Sequence, residues 1–262
     1  MARAALQGRS VSTESSPGLP WLLATVASFR SETPRVKTIA FDVPHWRGHL
    51  AGQHVDIRLT AEDGYQAQRS YSIASAQGSD TRIELTVENV EEGEVSPFLL
   101  DVLAPGDAIE LRGPIGGYFT WRPAEAGPLM LIAGGSGVVP LMAILRTRAA
   151  AADRTPVRLL YSSRTEEDII YRGELDRQAS AGDGVVIVHT LTRRQPVGWA
   201  GERGRIDQTM LSKHCWPAEE KPRVFVCGPT TFVEDVANAL VALEHAPERI
   251  KTERFGPSGD LT

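Results

Sequence analysis

The apolar pattern of this chain changes character once, between Pro123 and Pro128, and that change limits the fold more than any other feature. Before it, residues 22–29, 36–43, 54–60, 69–74 and 82–90 are short, rich in β-formers, and often alternate apolar with polar residues. Clusters containing Gly and Pro separate them. Short strands at this spacing predict an antiparallel β-barrel. One helix is expected to interrupt them, with Ser96 as N-cap and Pro97 at its first position, before strands near 108–111 and 118–121. After Pro128 the apolar runs are continuous, at 129–133, 157–161, 185–189 and 224–227, with helical stretches at 141–152, 166–178 and 232–244. Strands apolar on both faces and alternating with helices predict a parallel sheet covered on both sides. The expected organisation is a disordered tail over residues 1–20, a β-barrel domain over 21–123, and an α/β domain over 128–262.

Composition excludes several classes of function. A net charge of −5 argues against a nucleic-acid footprint. No apolar run approaches the ~18 residues of a membrane span. The tail lacks the apolar stretch of a secretory signal. Two cysteines, Cys215 and Cys227, predict free thiols in a reducing cytoplasm rather than a disulfide framework. They are also too few for a self-contained iron–sulfur cluster, which takes about four ligands, and no metal site is expected.

Three segments carry chemistry. Arg69-Ser70-Tyr71-Ser72 joins a cation, an aromatic face and a hydroxyl within four residues. In a strand Arg69 and Tyr71 share a face. Arg69 has the rigid fork that suits a pyrophosphate, and Tyr71 can lie against a planar heterocycle. Ser72 reaches a ring nitrogen there if the strand bends. On residue types alone the same segment also reads as a barrel strand with a surface Arg and a half-buried Tyr. Gly134-Gly135-Ser136-Gly137 lies between an apolar run and a helical stretch, the context in which backbone and a helix N-terminus approach a pyrophosphate. It departs from Gly-x-Gly-x-x-Gly, and a plain strand-to-helix turn is the other reading. Cys227-Gly228-Pro229 ends another apolar run, at the edge where open α/β sheets bind ligands. A lone thiol there is otherwise a small buried hydrophobe.

In this order and spacing, Arg-x-Tyr-Ser, Gly-Gly-x-Gly with Pro140 behind it, and Cys-Gly-Pro resemble the ferredoxin–NADP reductase family of flavoproteins, over about residues 21 to 256. The resemblance implies an FAD-dependent NAD(P)H oxidoreductase. It implies that Arg69 holds the FAD pyrophosphate, Tyr71 stacks on the isoalloxazine, and Ser72 bonds near flavin N5. Gly93, Glu94, Val95 and Ser96 match the family's second FAD segment, and Thr86 and Val87 the position that meets FAD through the backbone. Gly135, Ser136 and Gly137 would receive the nicotinamide dinucleotide. Cys227, with Gly228 and Pro229, would pack beside nicotinamide C4 without acting as a nucleophile. Glu253 and Phe255 fit the family's carboxylate-x-aromatic ending, with Phe255 as a ring over the flavin that must yield to the nicotinamide; Phe255 also reads as a core anchor. Ser72, Cys227 and Glu253 are the expected catalytic set.

The second cofactor is expected to be NADPH rather than NADH. Arg164, Arg193 (after Thr192) and Arg205 stand where NADP-specific relatives carry bases for the 2′-phosphate, with Arg194 beside them; each is also an ordinary solvated charge. The expected acceptor is a separate protein: a ferredoxin, a flavodoxin, a haem protein or another redox partner. Two other readings stand beside this one, an NADH-dependent flavin or ferric reductase with small acceptors and a non-catalytic nucleotide-binding subunit.

Overall fold

A computed structural model describes residues 18–256 apart from 79, 80, 124 and 126. The expected tail lies outside the described residues except for its last three.

Strands β1 (Leu22–Thr33), β2 (Val36–Asp42), β3 (His54–Thr60), β4 (Gln66–Ser72), β5 (Arg82–Glu88) and β6 (Ala108–Ile115) form one antiparallel sheet in the order β4-β3-β6-β1-β2-β5. A bridge between Ile73 and Leu85 joins its two edges and closes a barrel. Period-two alternation sends Ile39 and Phe41, Val55 and Ile57, Ile83, Leu85 and Val87, and Ile109 and Leu111 into a single core. A short helix α1 (Val95–Pro97) runs into a π-helical turn (Phe98–Val102), which adds Leu99 and Leu100 to that core.

Two local expectations are corrected here. The helix begins at Val95 with Glu94 at its N-cap, not at Pro97. Ser96 Oγ accepts the Val90 N–H at 3.1 Å, so its side chain ties the preceding loop instead of capping a helix. Residues 118–121 form no strand: Trp121 makes an isolated bridge to Ala51, and Tyr118 lies in a turn and donates its hydroxyl to Ile250 O at 3.2 Å.

The second half runs β7 (Leu129–Gly134), α2 (Val138–Ala150), β8 (Val157–Ser163), α3 (Arg172–Ser180), β9 (Val185–Leu191), β10 (Glu202–Arg203), α4 (Gln208–His214), β11 (Arg223–Pro229), α5 (Thr230–Ala242) and β12 (Ile250–Phe255). All six strands are parallel, in the order β10-β9-β8-β7-β11-β12. The strands are apolar on both faces as predicted. Leu129, Leu131, Ala133, Phe225 and Cys227 share a core with α2, while Met130, Ile132, Val224 and Val226 pack with Val233, Val236 and Leu240 of α5. The helix expected over 166–178 is broken. Asp168 accepts from Thr165 N and Oγ1, at 3.0 and 2.9 Å, which closes a single turn. Tyr171 then sits at φ +60° and restarts the chain as α3.

Helix α2 is buried along nearly its whole length. The sheet covers one side. Ala51, Ala74, Phe119 and Trp121 of the barrel half belong to the same core and cover another. A helix apolar all round needs such two-sided burial, and here it fuses the two halves through shared packing.

Candidate functional site

Successive connections leave β7 in opposite directions, toward β8 and β9 on one side and toward β11 and β12 on the other. Such a reversal opens a crevice at the carboxyl ends of the two central strands. Gly135–Gly137 follows the end of β7, and Cys227-Gly228-Pro229 ends β11, so both glycine-containing segments line this crevice. Their fit is close. A Cβ on Gly137 would stand 2.1 Å from Cys227 O, so the turn crosses the end of β11 only because residue 137 has no side chain. Gly135 has φ +56°, and space opens beyond it. Backbone is thereby left accessible where a pyrophosphate would run, which is what a dinucleotide requires.

In β11 and β12 the register sets Cys227 against Glu253 and Pro229 against Phe255. Cys227 is buried, and its Sγ approaches Glu253 Oε2 at 4.0 Å. Burial pushes the Glu253 carboxyl up to about 7. Burial, and then the Glu253 charge, pushes the Cys227 thiol well above its ordinary value. An unreactive thiol suits a residue that positions rather than attacks. Phe255 packs against the core shared by both halves, so it is an anchor for β12 as well as a ring near the crevice. Lys251 Nζ on the same strand donates to Thr120 O at 2.8 Å, holding β12 to the barrel half.

On the barrel side, Arg69 is exposed on β4 and donates to the adjacent Gln68 O at 2.7 Å. Its guanidinium therefore has donors to spare for an anion. Tyr71 is half-buried against the barrel core, and desolvation raises its hydroxyl pKa. Ser72 is the last residue of β4. Beyond it the chain changes partners: Ile73 N donates to Gln53 O at 2.9 Å, then Ala74 N donates to Glu84 O at 2.8 Å on β5. The change of partner thus comes two residues after Ser72, at Ala74. Thr86 lies on β5 beside Leu85, which bridges Ile73 across this seam. The Thr86 side chain accepts from Tyr171 OH in the α/β half. Val87 points into the barrel core. Gly93 closes a tight turn, with its N–H on Val90 O at 2.8 Å. Val95 and Ser96 are buried, and the exposed Glu94 accepts from Tyr65 OH at 3.0 Å. A spare guanidinium, an aromatic face and a glycine-lined turn fit a phosphate-bearing flavin.

The three arginines gather at one edge of the parallel sheet. Arg193 N donates to Arg164 O at 2.9 Å, Thr192 N to Ser163 O at 2.9 Å, and Thr190 Oγ1 to Gly204 O at 2.7 Å. Arg164, Arg193 and Arg205 are all exposed at the ends of β8, β9 and β10. Arg194 differs, since it is paired with Glu167 at 2.9 Å.

Several residues at the site escape a reading of the sequence. His54 lies directly opposite Ser72 in the β3–β4 register, and burial depresses its imidazole pKa. Arg146 and Tyr171 reach the barrel from α2 and from the start of α3. His54 is a short step from Gln53 in an ordinary strand pattern, and nothing local distinguishes it. The other two act across 72 and 85 residues of chain.

Known proteins divide in the same way. Residues 24–120 match the family described as "Oxidoreductase FAD-binding domain", and residues 131–238 match "Oxidoreductase NAD-binding domain". The chain is 35% identical over 211 residues to ferredoxin--NADP reductase B of Sorangium cellulosum, covering 78% of this chain and 85% of that one. It is 31% identical over 231 residues to a glycine betaine monooxygenase reductase subunit of Pseudomonas aeruginosa, covering 87% of this chain and 62% of the relative. The crystal structure of an Amycolatopsis cytochrome P450 reductase superposes with TM-score 0.80 at 29% identity, over 91% of this chain and 71% of that one.

Proposed function

The chain belongs to the ferredoxin–NADP reductase family of FAD-containing NAD(P)H oxidoreductases, and we propose that it takes hydride from NADPH in preference to NADH and passes electrons to a separate protein acceptor. When bound, the two cofactors supply hydride transfer from nicotinamide C4 to flavin N5 and onward release of electrons. Residues 21–123 form the FAD half and residues 128–262 the NAD(P) half. Arg69 and the amides of Glu94, Val95 and Ser96, which follow the turn at Gly93, hold the FAD pyrophosphate. Tyr71 lies along the isoalloxazine, Ser72 donates its hydroxyl at N5, and the backbone of Thr86 and Val87 borders the ring. Gly135, Ser136 and Gly137 receive the nicotinamide dinucleotide across the mouth of β7. Cys227, followed by Gly228 and Pro229, packs beside the nicotinamide. Glu253 keeps a proton-exchanging carboxyl beside the nicotinamide, and Phe255 yields as the nicotinamide enters.

The observation that carries this reading is the crevice itself. The glycine turn after β7 crosses the end of β11 with no room for a Cβ, beside a half-buried carboxyl that a thiol approaches at 4.0 Å. The preference for NADPH rests on Arg164, Arg193 and Arg205, with Thr192 beside Arg193, which follow the neighbouring strands β8, β9 and β10. NADH has one observation in its favour: Glu166, Glu167 and Asp168 follow Arg164 after a single residue, Thr165, and acidic groups suit a bare ribose hydroxyl. A ferredoxin, a flavodoxin, a haem protein or an oxygenase component is the class of acceptor. The names of the relatives support this class, since they include reductases serving a monooxygenase and a cytochrome P450. Two free cysteines suit a reducing cytoplasm.

Anaerobic mixing of the purified protein with NADPH or NADH tests the reading through the visible spectrum. Bleaching of a flavin band, faster with NADPH, is expected. A protein that shows no flavin band after incubation with FAD overturns it, and equal or faster bleaching by NADH overturns the NADPH preference alone.

A further inference from the structure

We propose that Arg146 and Tyr171 are positioning residues that fasten the hydride-donating half to β5 and to the segment just after β4, fixing ring alignment before either nucleotide contributes to it. This rests on the reading above, in which the flavin lies along the β4–β5 seam.

Arg146 leaves α2 and meets three elements at once. Its Nη1 donates to Ala74 O at 2.8 Å, two residues beyond Ser72, and to Glu84 Oε2 at 2.9 Å on β5. Its Nε and Nη2 fork onto Glu174 of α3 at 2.8 and 2.7 Å. A planar guanidinium can satisfy this set, whereas an ammonium presents no comparable fork. The next residue, Thr147, accepts the Gln77 N–H at 2.7 Å from the same barrel segment. The Tyr171 ring lies beneath Arg146, 5.1 Å from guanidinium carbon to ring centroid.

Tyr171 grips β5 two residues beyond Glu84. Its hydroxyl bonds Thr86 Oγ1, Thr86 bonds Thr38 Oγ1 at 2.8 Å, and Thr38 bonds Glu32 Oε1 at 2.7 Å. The direction of this chain is fixed. An ionised carboxylate only accepts, so Thr38 spends its one hydroxyl proton on Glu32. Thr86 must then donate to Thr38, and Tyr171 must donate to Thr86. Tyr171, Thr86 and Thr38 are all buried, so a missing link leaves an unsatisfied polar group. Tyr171 is also held at φ +60°, a conformation unfavourable for a residue with a Cβ that persists only where its surroundings enforce it.

The two grips land on Ala74 and Thr86, on the two sides of the seam where β4 and β5 part. They touch neither the Arg69 segment nor the crevice between β7 and β11. Tyr171 holds Thr86 by its side chain and not by the backbone that borders the flavin, so loosening the two grips chiefly changes the distance between the halves. Misplacement on the scale of 1 Å can cost about a hundredfold in rate, with no parallel change in affinity.

Tyr171→Phe keeps the ring and removes the proton. Full FAD content, unchanged KM for the nicotinamide cofactor, and a hydride-transfer rate about tenfold lower in anaerobic stopped flow are expected. In flavin-free protein the Gln77 amide, bonded across the interface, exchanges with solvent about tenfold faster. Arg146→Lys keeps a cation between Glu84 and Glu174 without the fork and shows the same pattern; it carries the test if Tyr171→Phe does not fold. Wild-type hydride transfer with wild-type Gln77 exchange in either folded variant overturns the proposal. So does a rate loss matched by loss of FAD, because the residue then serves binding and not alignment. A wild-type protein that holds no flavin overturns the underlying reading instead, and Gln77 exchange in the variants still decides whether the clasp exists.

Discussion

The two halves build their shares of the cleft by different means. In the α/β half the topology makes the crevice, and backbone lines it. The reversal of strand order opens the space between β7 and β11, and the absence of a side chain at residue 137 lets the turn close over it. In the barrel half the topology makes no crevice. A closed antiparallel sheet presents a side-chain surface, and the proposed flavin site draws on what Arg69 and Tyr71 carry and on the partner switch at Ala74. One half is specified by what cannot be added, the other by what must not be removed. Substitutions should therefore act abruptly in the first and by degrees in the second.

Gly137→Ala should have the largest effect. The added Cβ meets backbone, which has no rotamer through which to yield. Reduction by NADPH and by NADH should both fall by roughly a hundredfold or more, with a melting temperature lowered by about 5 °C for an overpacked site in a chain of this size. A mild, purely KM effect would break the comparison. Arg69→Ala and Tyr71→Ala should come next, each weakening FAD retention by roughly ten- to a hundredfold while the protein stays folded. Equilibrium dialysis of the flavin checks this, and unchanged FAD content in Tyr71→Ala would remove the stacking role.

The Arg164→Ala, Arg193→Ala pair should raise the KM for NADPH about tenfold or more and leave that for NADH unchanged. Equal effects on both cofactors would dismiss the 2′-phosphate assignment. The smallest effect belongs to Glu253, and it depends on pH. Burial raises the folded carboxyl from 4.5 to about 7, so the folded state binds more protons than the unfolded state between those values. Stability should then fall as pH rises through that window. Glu253→Gln, which cannot ionise, should melt a few degrees above the wild type at pH 8 and together with it at pH 4. A gap independent of pH would show that the carboxyl is solvated when folded.

The same contrast explains what the sequence made legible. Period-two strands and two-faced apolar runs are local patterns, and both sheets could be read from them. Strand β3 was readable to the residue because Thr60 is followed by polar turn residues, and His54 by alternating apolar ones. The break at Tyr171 was not readable, because a left-handed tyrosine looks like any helical residue until its hydroxyl is seen bonded to Thr86. Ser96 misled for a related reason: its hydroxyl served a loop donor six residues back. The crevice residues were visible as motifs. Arg146, Tyr171 and His54 became visible only when distant strands were brought together.

Helix α2 carries a consequence for recombining this architecture. Its apolar surface is shared between the sheet beneath it and barrel residues Ala51, Ala74, Phe119 and Trp121. Chain cut near residues 123–128 would yield a C-terminal fragment with that surface bared, and it should aggregate rather than act as a portable nucleotide-binding module. Chimaeras that graft a foreign barrel onto this half should survive only if the donor barrel brings its own small and aromatic residues to the same four places. The halves are in this sense a matched pair, inherited or engineered together.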